Sequence, residues 1–243
     1  MSDRLEVELK GNVATLTLNR PERRNALDHS LCDELAHAVT DHAGRARVLV
    51  LAGAGPHFCA GADLSGVEDD EFVSALQRAL TALVSVPVVT MAAVHGAALG
   101  AGTQLAVACD LRVAEATARF GIPAARLGLM VDHWTVQRLA QLAGHGPARA
   151  MLLAAEEIDG ATAHGLGLAQ RLGTLADAQA WAEQISRLAP LTVAGHKLAL
   201  NRLEPTLDDP EVSTAFRRAW ASEDLAEGMA ARREGRSPRF GGA

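Results

Sequence analysis

Short apolar runs in the first half of the chain predict β-strands. Residues 5–9 and 13–18 read as two strands, and the Gly11-Asn12 pair between them predicts a hairpin turn. Residues 48–52 and 88–94 are apolar on both faces, which is typical of strands buried within a parallel sheet. These runs predict an α/β fold whose sheet is mostly parallel.

Apolar residues at helical spacing lie between the predicted strands. One helix follows Asp28 or Ser30, either of which can cap it. A second helix covers residues 72–83, and Pro87 ends it. The glycine-rich run 96–102 then opens a short apolar helix. Strand and helix signals therefore alternate, as in a chain of βα units.

The second half of the chain has helical patterns only, because strand signals stop at about residue 133. Since no low-complexity linker separates the halves, we expect residues 1–190 to form a core. We expect residues 191–243 to form a helical C-terminal extension of the same domain. The helical patterns in this half cover residues 133–143, 147–155, 176–189, 191–202 and 211–233.

Charge and composition exclude several classes of function. The 243 residues carry a net charge of −6, which argues against nucleic-acid binding. The aromatic fraction is 3% without any tyrosine, so a stacking platform for bases is not expected. The three cysteines form no Cys-x-x-Cys pair, so we expect neither a disulfide framework nor a metal site.

The sequence also lacks the common targeting and nucleotide-binding signals. Residues 1–6 have no apolar signal-peptide core, and no apolar stretch of about 18 residues predicts a membrane span. We therefore expect a cytoplasmic protein. No phosphate-binding loop, G-x-S-x-G or H-E-x-x-H motif is present, and Leu105 stands where a dinucleotide fingerprint would need its third glycine.

Two segments of small residues each follow a buried strand, at positions 57–64 and 95–102. Small residues let a ligand approach the backbone closely. The second segment starts a helix, whose free N–H groups favour negative charge. Two such N–H groups converging on one oxygen would form an oxyanion hole. Each segment alone is equally compatible with a tight turn.

Taken together, the motifs of the chain resemble those of the crotonase (enoyl-CoA hydratase/isomerase) family. The resemblance covers nearly the whole chain and extends to actinobacterial members that lack both catalytic glutamates. The motifs that carry it are Asn19-Arg20-Pro21, Asn25-Ala26-Leu27, residues 58–64, residues 95–102, Ala108-Cys109-Asp110-Leu111, residues 120–128, Gln137-Arg138-Leu139 and Ala163-His164-Gly165-Leu166.

The resemblance implies a superhelix of ββα units whose C-terminal helices form a homotrimer or a dimer of trimers. It implies an acyl-CoA ligand and no further cofactor. The N–H groups of Ala62 and Ala101 would form the oxyanion hole. Arg23 or Arg24 would meet CoA phosphates, although a solvated turn is an equal alternative. The CoA-binding positions implied are Arg23, Arg24, Ala26, Leu27, Ala60, Gly61, Asp63 and Leu64.

The chain departs from the hydratase pattern at both acid/base positions. By resemblance, Gln104 and Ala124 stand where hydratases carry two glutamates. A glutamine amide can hold a water but cannot exchange its proton near neutral pH, and an alanine can do neither. Each acid/base group contributes about 10²–10⁴-fold to a rate, so we expect weak or absent hydration.

A third departure follows at residues 130–134, which are bulky where hydratases have a glycine-rich turn. Asp132 is a candidate acid/base or nucleophile by resemblance to isomerases and dehalogenases, or it caps the helix that follows. His133 and Trp134 are candidates for the acyl pocket. The alternative places His133 on the surface and Trp134 in ordinary packing.

Three functions follow from these residues. The first is a fatty acyl-CoA-binding protein of lipid metabolism that hydrates weakly or not at all. The second is an active hydratase or isomerase that uses Asp132 as acid/base. The third is a structural partner protein with a vestigial CoA site.

Overall fold

The computed structural model describes residues 3–63, 70–127, 130–202, 214, 222–236 and 238–242. The strands are β1 Leu5–Lys10, β2 Val13–Leu18, β3 Val48–Gly53, β4 Val89–Val94, β5 Ala97–Leu99, β6 Leu111–Ala114, β7 Arg119–Gly121, β8 Glu157–Asp159 and β9 Arg171–Leu172. The helices are α1 His29–Ala43, α2 Asp70–Ser85, α3 Ala101–Ala108, α4 His133–Ala143, α5 His145–Leu153, α6 Gly160–Gly165, α7 Leu175–Ile185, α8 Pro190–Asn201 and α9 Glu223–Glu234. Two 3₁₀ turns cover Pro21–Arg23 and Pro123–Leu127.

The main sheet has six strands in the order β1-β2-β3-β4-β6-β9. The first two strands pair antiparallel across Gly11-Asn12, with Lys10 opposite Val13, so the predicted hairpin is confirmed. The other pairs are parallel. Asp28, rather than Ser30, caps α1, because its side chain accepts the Leu31 N–H at 2.9 Å.

A second, three-stranded sheet joins β5, β7 and β8. The short strands β5, β8 and β9 correct two predictions. The glycine-rich run does not enter a helix directly, since residues 97–99 form β5 before α3 begins. The expectation of no strand after residue 133 was wrong, because β8 and β9 follow. These strands are two or three residues long, so no alternation could reveal them.

Helices cover both faces of the main sheet, which explains why its central strands are apolar at every position. Leu49 and Leu51 of β3 pack into the larger core, which includes residues of α1, α2 and α3. Val48 and Val50 face the other side with Ala178 and Ala182 of α7. The core therefore holds β3 and β4 rigidly, and the loops that follow them are built on that support.

The C-terminal helices begin with α8, which a buried lysine joins to the core. Lys197 Nζ lies 2.8 Å from Asp110 Oδ2 and donates to the Leu83 and Val88 carbonyls at 3.1 and 2.9 Å. Of the helix predicted over 211–233, the structure describes Thr214 and the residues from 222 onward, and α9 begins at Glu223. Most of the first half of the predicted helix lies outside the described residues. None of the described helices is long and apolar enough to span a membrane.

Candidate functional site

The turn after β3 is hydrogen-bonded along both of its edges. On one side, Cys59 N donates to Ala97 O at 2.9 Å and Leu99 N donates to Cys59 O at 3.0 Å. On the other side, Leu27 N donates to Gly61 O at 2.9 Å. Two neighbouring segments thus fix the backbone of residues 59–61.

Two polar side chains that entered the sequence analysis only as parts of motifs support this turn. Asn25 is fully buried and donates from Nδ2 to Ala54 O at 2.8 Å and His57 O at 2.7 Å. Arg20 places Nη2 3.1 Å from Asp63 Oδ2 and donates from Nη1 to a neighbouring carbonyl. No local pattern distinguishes such residues from surface polar groups, because their partners lie 29 to 43 residues away.

The start of α3 packs unusually close to the same turn. A Cβ atom on Gly102 would lie 2.1 Å from Cys59 O, so only glycine fits. Gly61 has φ +116°, and a Cβ there would lie 3.0 Å from Leu99 O. Glycines at both positions therefore allow the two small-residue segments to meet, as the oxyanion prediction requires.

The two N–H groups predicted for an oxyanion hole belong to residues on one cavity. Ala62 and Ala101 both line it. Ala101 is the first residue of α3, and within the described part of the chain neither N–H donates a hydrogen bond to the protein. Both donors are thus free to meet a ligand.

The opposite end of α3 is surrounded by guanidinium groups. Arg112 is fully buried and donates from Nη1 to Ala106 O at 3.0 Å and Cys109 O at 2.7 Å, while Arg138 Nε donates to Val107 O at 3.2 Å. Burial lowers the pKa of Arg112 to about 10, so it stays charged at neutral pH. Cations at this end complement the helix dipole, whose positive end carries Ala101.

The cavity has a volume of about 230 Å³ and a largely apolar wall. Gln104, Ala124 and Asp132 all lie on it, so the structure brings together the three positions that the sequence analysis singled out for proton chemistry. The lining residues are Ala60, Gly61, Ala62, Phe72, Val73, Leu76, Gln77, Gly100, Ala101, Gln104, Ile122, Pro123, Ala124, Met130, Val131 and Asp132.

A hydrogen-bonded group of three side chains forms the polar part of this wall. Asp132 Oδ1 accepts a hydrogen bond from Thr135 N at 2.8 Å. Asp132 therefore caps α4, which is one of the two alternatives given in the sequence analysis. Its Oδ2 accepts Thr135 Oγ1 at 2.9 Å and Gln104 Nε2 at 3.3 Å, and Gln104 Nε2 also donates to Thr135 Oγ1 at 2.9 Å. Thr135 is fully buried, and the sequence analysis did not identify it.

The positions implied for CoA binding occupy several environments. Ala60 and Gly61 line the cavity, and Arg23 and Arg24 are exposed. The other four are Ala26, which is partly buried, Leu27, which is fully buried, Asp63, which pairs with Arg20, and Leu64, which lies outside the described residues. The backbone of Leu27 is bonded within the protein, since its N–H donates to Gly61 O and its carbonyl accepts from Asp63 N at 2.7 Å.

The two residues assigned to the acyl pocket lie elsewhere. His133 is exposed, and Trp134 packs against the core. Neither is among the described residues of the cavity wall, which Met130, Val131 and Asp132 form at this point. The assignment of His133 and Trp134 is thus corrected: capping by Asp132 starts the helix there and carries both residues away from the cavity.

Burial sets the titration of several groups near the turn. It raises the pKa of Cys32, Cys59 and Cys109 to about 12, so all three are neutral thiols within the core. Burial is the main cause that lowers the pKa of His57 below its ordinary value, and the positive charge of Arg24 is the next. His57 Nδ1 accepts a hydrogen bond from Ala97 N at 3.2 Å. The three thiols are therefore structural groups of the core, and His57 is a structural part of the turn.

Comparison with known proteins agrees with this architecture. The family model described as enoyl-CoA hydratase/isomerase matches residues 8–243. A Mycobacterium tuberculosis protein named probable enoyl-CoA hydratase echA6 is 46% identical over 243 residues, covering 95% of this chain and 96% of that protein. Another from the same organism, probable enoyl-CoA hydratase echA8, is 35% identical and covers 96% of each.

Solved structures give the same result. An enoyl-CoA hydratase/carnithine racemase from Magnetospirillum magneticum superimposes with a TM-score of 0.93 at 28% identity, covering 100% of this chain and 97% of that one. An enoyl-CoA hydratase from Mycobacterium tuberculosis superimposes with a TM-score of 0.88 at 30% identity, covering 100% of both chains. The predicted crotonase fold is confirmed, and the chain belongs to the enoyl-CoA hydratase/isomerase family.

Proposed function

We propose that this protein binds fatty acyl-CoA thioesters in lipid metabolism and hydrates enoyl-CoA weakly or not at all. The observation that carries the proposal is the chemistry of two side chains in the cavity wall. The Gln104 amide nitrogen donates hydrogen bonds to Asp132 and Thr135, and Ala124 has only a methyl group. Neither side chain can deliver or accept a proton for the addition of water.

The binding half of the site supports the same proposal. The N–H groups of Ala62 and Ala101 would hold the thioester oxygen, with α3 directing its positive end toward that oxygen. Arg23 or Arg24, both of which are exposed, would meet the CoA phosphates. The protein would act as a cytoplasmic homotrimer or dimer of trimers without a further cofactor.

A second candidate function is double-bond isomerisation, which needs one acid/base group and an oxyanion hole. It is favoured by the position of Asp132 on the cavity wall. The carboxylate, however, accepts three hydrogen bonds, from Thr135 N, Thr135 Oγ1 and Gln104 Nε2. About four lone-pair sites are available on a carboxylate, so roughly one remains for a substrate proton.

A single titration series separates these functions. Short-, medium- and long-chain enoyl-CoA are titrated into the protein while heat and the conjugated enoyl absorbance are followed in parallel. Heat of binding without loss of absorbance supports the proposal. Loss at an enzyme-like rate contradicts it, and abolition of that loss by Asp132→Asn would assign the turnover to Asp132, as in an active hydratase or isomerase. Absence of both signals would favour a structural partner with a vestigial site.

The double substitution Gln104→Glu with Ala124→Glu supplies the complementary test. Both positions line the cavity, so two carboxylates would again face a bound thioester. We expect hydration of crotonyl-CoA to appear or to rise at least tenfold, since each group contributes about 10²–10⁴-fold when it is positioned well. No gain in a folded variant would mean that the thioester is not held beside these positions.

A further inference from the structure

Met130 is the most exposed large apolar side chain among the described residues, although it lies on the cavity wall. It is 88% exposed, and Val73, which lines the same cavity from α2, is 54% exposed. Phe72 and Leu76, which line the cavity from the same helix, are buried. The apolar wall therefore continues from the interior to the surface, and Met130 and Val73 mark the mouth of the cavity.

Met130 also differs from the other sulfur-containing side chains that the structure describes. Met91, Met151 and the three cysteines are fully buried. Burial raises the pKa of each thiol to about 12, so almost no thiolate, the form that peroxides oxidise, is present near neutral pH. Among the described side chains, Met130 is therefore the one whose sulfur is open to an oxidant in solution.

We propose that Met130 is a site of reversible oxidation that controls the binding of acyl chains in the cavity. A peroxide, ROOH, transfers one oxygen atom to Sδ and leaves as the alcohol ROH, or as water when the oxidant is hydrogen peroxide. The sulfur loses two electrons, the peroxide gains them, and the product is methionine sulfoxide. A methionine sulfoxide reductase reverses the step, releasing the oxygen as water while two thiols are oxidised to a disulfide. The inference rests on the proposed acyl-CoA site and adds its regulation.

The added oxygen changes the mouth of the cavity from apolar to polar. A thioether is flexible and apolar, whereas a sulfoxide oxygen accepts hydrogen bonds. In the free protein water hydrates this oxygen, because Met130 is so exposed. An acyl chain that covers it removes the water and supplies only C–H groups, which leaves a buried acceptor without a partner. Oxidation should therefore weaken the binding of chains that reach Met130.

The length of the acyl chain decides whether it meets Met130. Ala62 and Ala101, whose N–H groups would hold the thioester oxygen, line the same cavity as Met130. The chain of octanoyl-CoA would run from there along the apolar wall to its mouth, whereas the acetyl group of acetyl-CoA has only a methyl group beyond the thioester carbon. The ratio of the two affinities therefore separates a change at the mouth from general damage to the protein.

Calorimetric titration of the full chain with octanoyl-CoA and acetyl-CoA, before and after treatment with hydrogen peroxide, tests the proposal. Peptide mass spectrometry locates the added oxygen, which we expect on Met130. Oxidation should lower the octanoyl-CoA affinity about tenfold, equivalent to about 1.4 kcal/mol, and change the acetyl-CoA affinity by less than about twofold. Treatment with methionine sulfoxide reductases should restore the octanoyl-CoA affinity.

Met130→Leu removes the oxidisable sulfur, so peroxide should leave the octanoyl-CoA affinity of this variant at its own untreated value. Met151→Leu is the matched control, because it exchanges the same atoms at a fully buried position in α5, and it should respond to peroxide as the wild-type protein does. Thermal unfolding checks that each protein folds. The inference alone is overturned if Met130 stays unoxidised, if its oxidation leaves the affinity ratio unchanged, or if peroxide weakens binding equally in Met130→Leu. If the untreated protein binds neither ester, the proposed function fails with it.

Discussion

The contact between α3 and the turn after β3 predicts how Gly102→Ala would change the protein. An ideal Cβ on Gly102 lies 2.1 Å from Cys59 O, whereas ordinary contact begins at 3.4 Å, so helix and turn must separate by about 1.3 Å. The obstacle is backbone that Cys59 N and Leu99 N hold in place, so no rotamer change can relieve it. The separation moves the Ala101 N–H away from Ala62.

Both stability and binding should respond to this displacement. Overpacking of this kind costs about 1–3 kcal/mol, which corresponds to a fall in Tm of roughly 2–12 °C in a domain of this size. Loss of one of two hydrogen bonds to the thioester oxygen weakens butyryl-CoA binding by about threefold to tenfold. Differential scanning calorimetry and isothermal titration measure the two effects.

Gly146→Ala provides the control, because a Cβ on Gly146 in α5 meets nothing within 4 Å. It should raise stability by up to about 1 kcal/mol through helix propensity and leave butyryl-CoA affinity at the wild-type value. Wild-type affinity in Gly102→Ala would refute the argument that this contact sets the distance between the two N–H groups. An equal loss of Tm in both variants would refute the packing argument.

Three further predictions concern groups outside the cavity. Lys197→Met leaves Asp110 and two carbonyls without their buried partner. It should lower the free energy of unfolding, measured in urea, by about 3–5 kcal/mol. A loss below about 1 kcal/mol would contradict the anchoring of α8 by Lys197. Iodoacetamide at pH 7.5 should modify no cysteine of the folded chain, since burial raises the thiol pKa values to about 12; rapid labelling of native protein would contradict this. The pKa of His57 is below its ordinary value of 6.5 in the fold, so the unfolded chain binds the proton first and stability falls as pH drops below that value. His57→Gln should remove part of the fall in Tm between pH 7.5 and 5.5, and identical pH profiles would refute it.

The sequence predicts the long elements of the fold and misses the short ones for a physical reason. Strands β3 and β4 are six residues long and buried on both faces, so their apolar runs are visible without knowledge of their neighbours. Strands β5, β7 and β8 have three residues each, too few for any period, and exist because they pair with one another. Their stability comes from tertiary hydrogen bonds.

The candidate site likewise has residues that the sequence identifies and one, Thr135, that it does not. The resemblance to the crotonase family implied that Ala62, Ala101 and Gln104 belong to one site, and all three line one cavity. The link from Gln104 to Thr135 spans 31 residues and depends on the packing of α3 against α4. Residue spacing within a single helix cannot predict a contact between two helices. The contact between Gln104 and Thr135 is therefore seen only in the folded structure.

Asp132 shows that capping and functional interpretations of one residue need not compete. Its Oδ1 atom caps α4, and the cap holds the carboxylate so that Oδ2 orients the Gln104 amide. Asp132→Ser separates the two roles, because serine has one oxygen that can cap but no second acceptor. We expect Asp132→Ser to keep Tm within about 2 °C of the wild-type value, since the cap is retained. Asp132→Ala, as the comparison, should lose about 1 kcal/mol of stability, because it removes the oxygen that accepts from Thr135 N. Equal losses of Tm in the two variants would refute the argument that this oxygen caps α4.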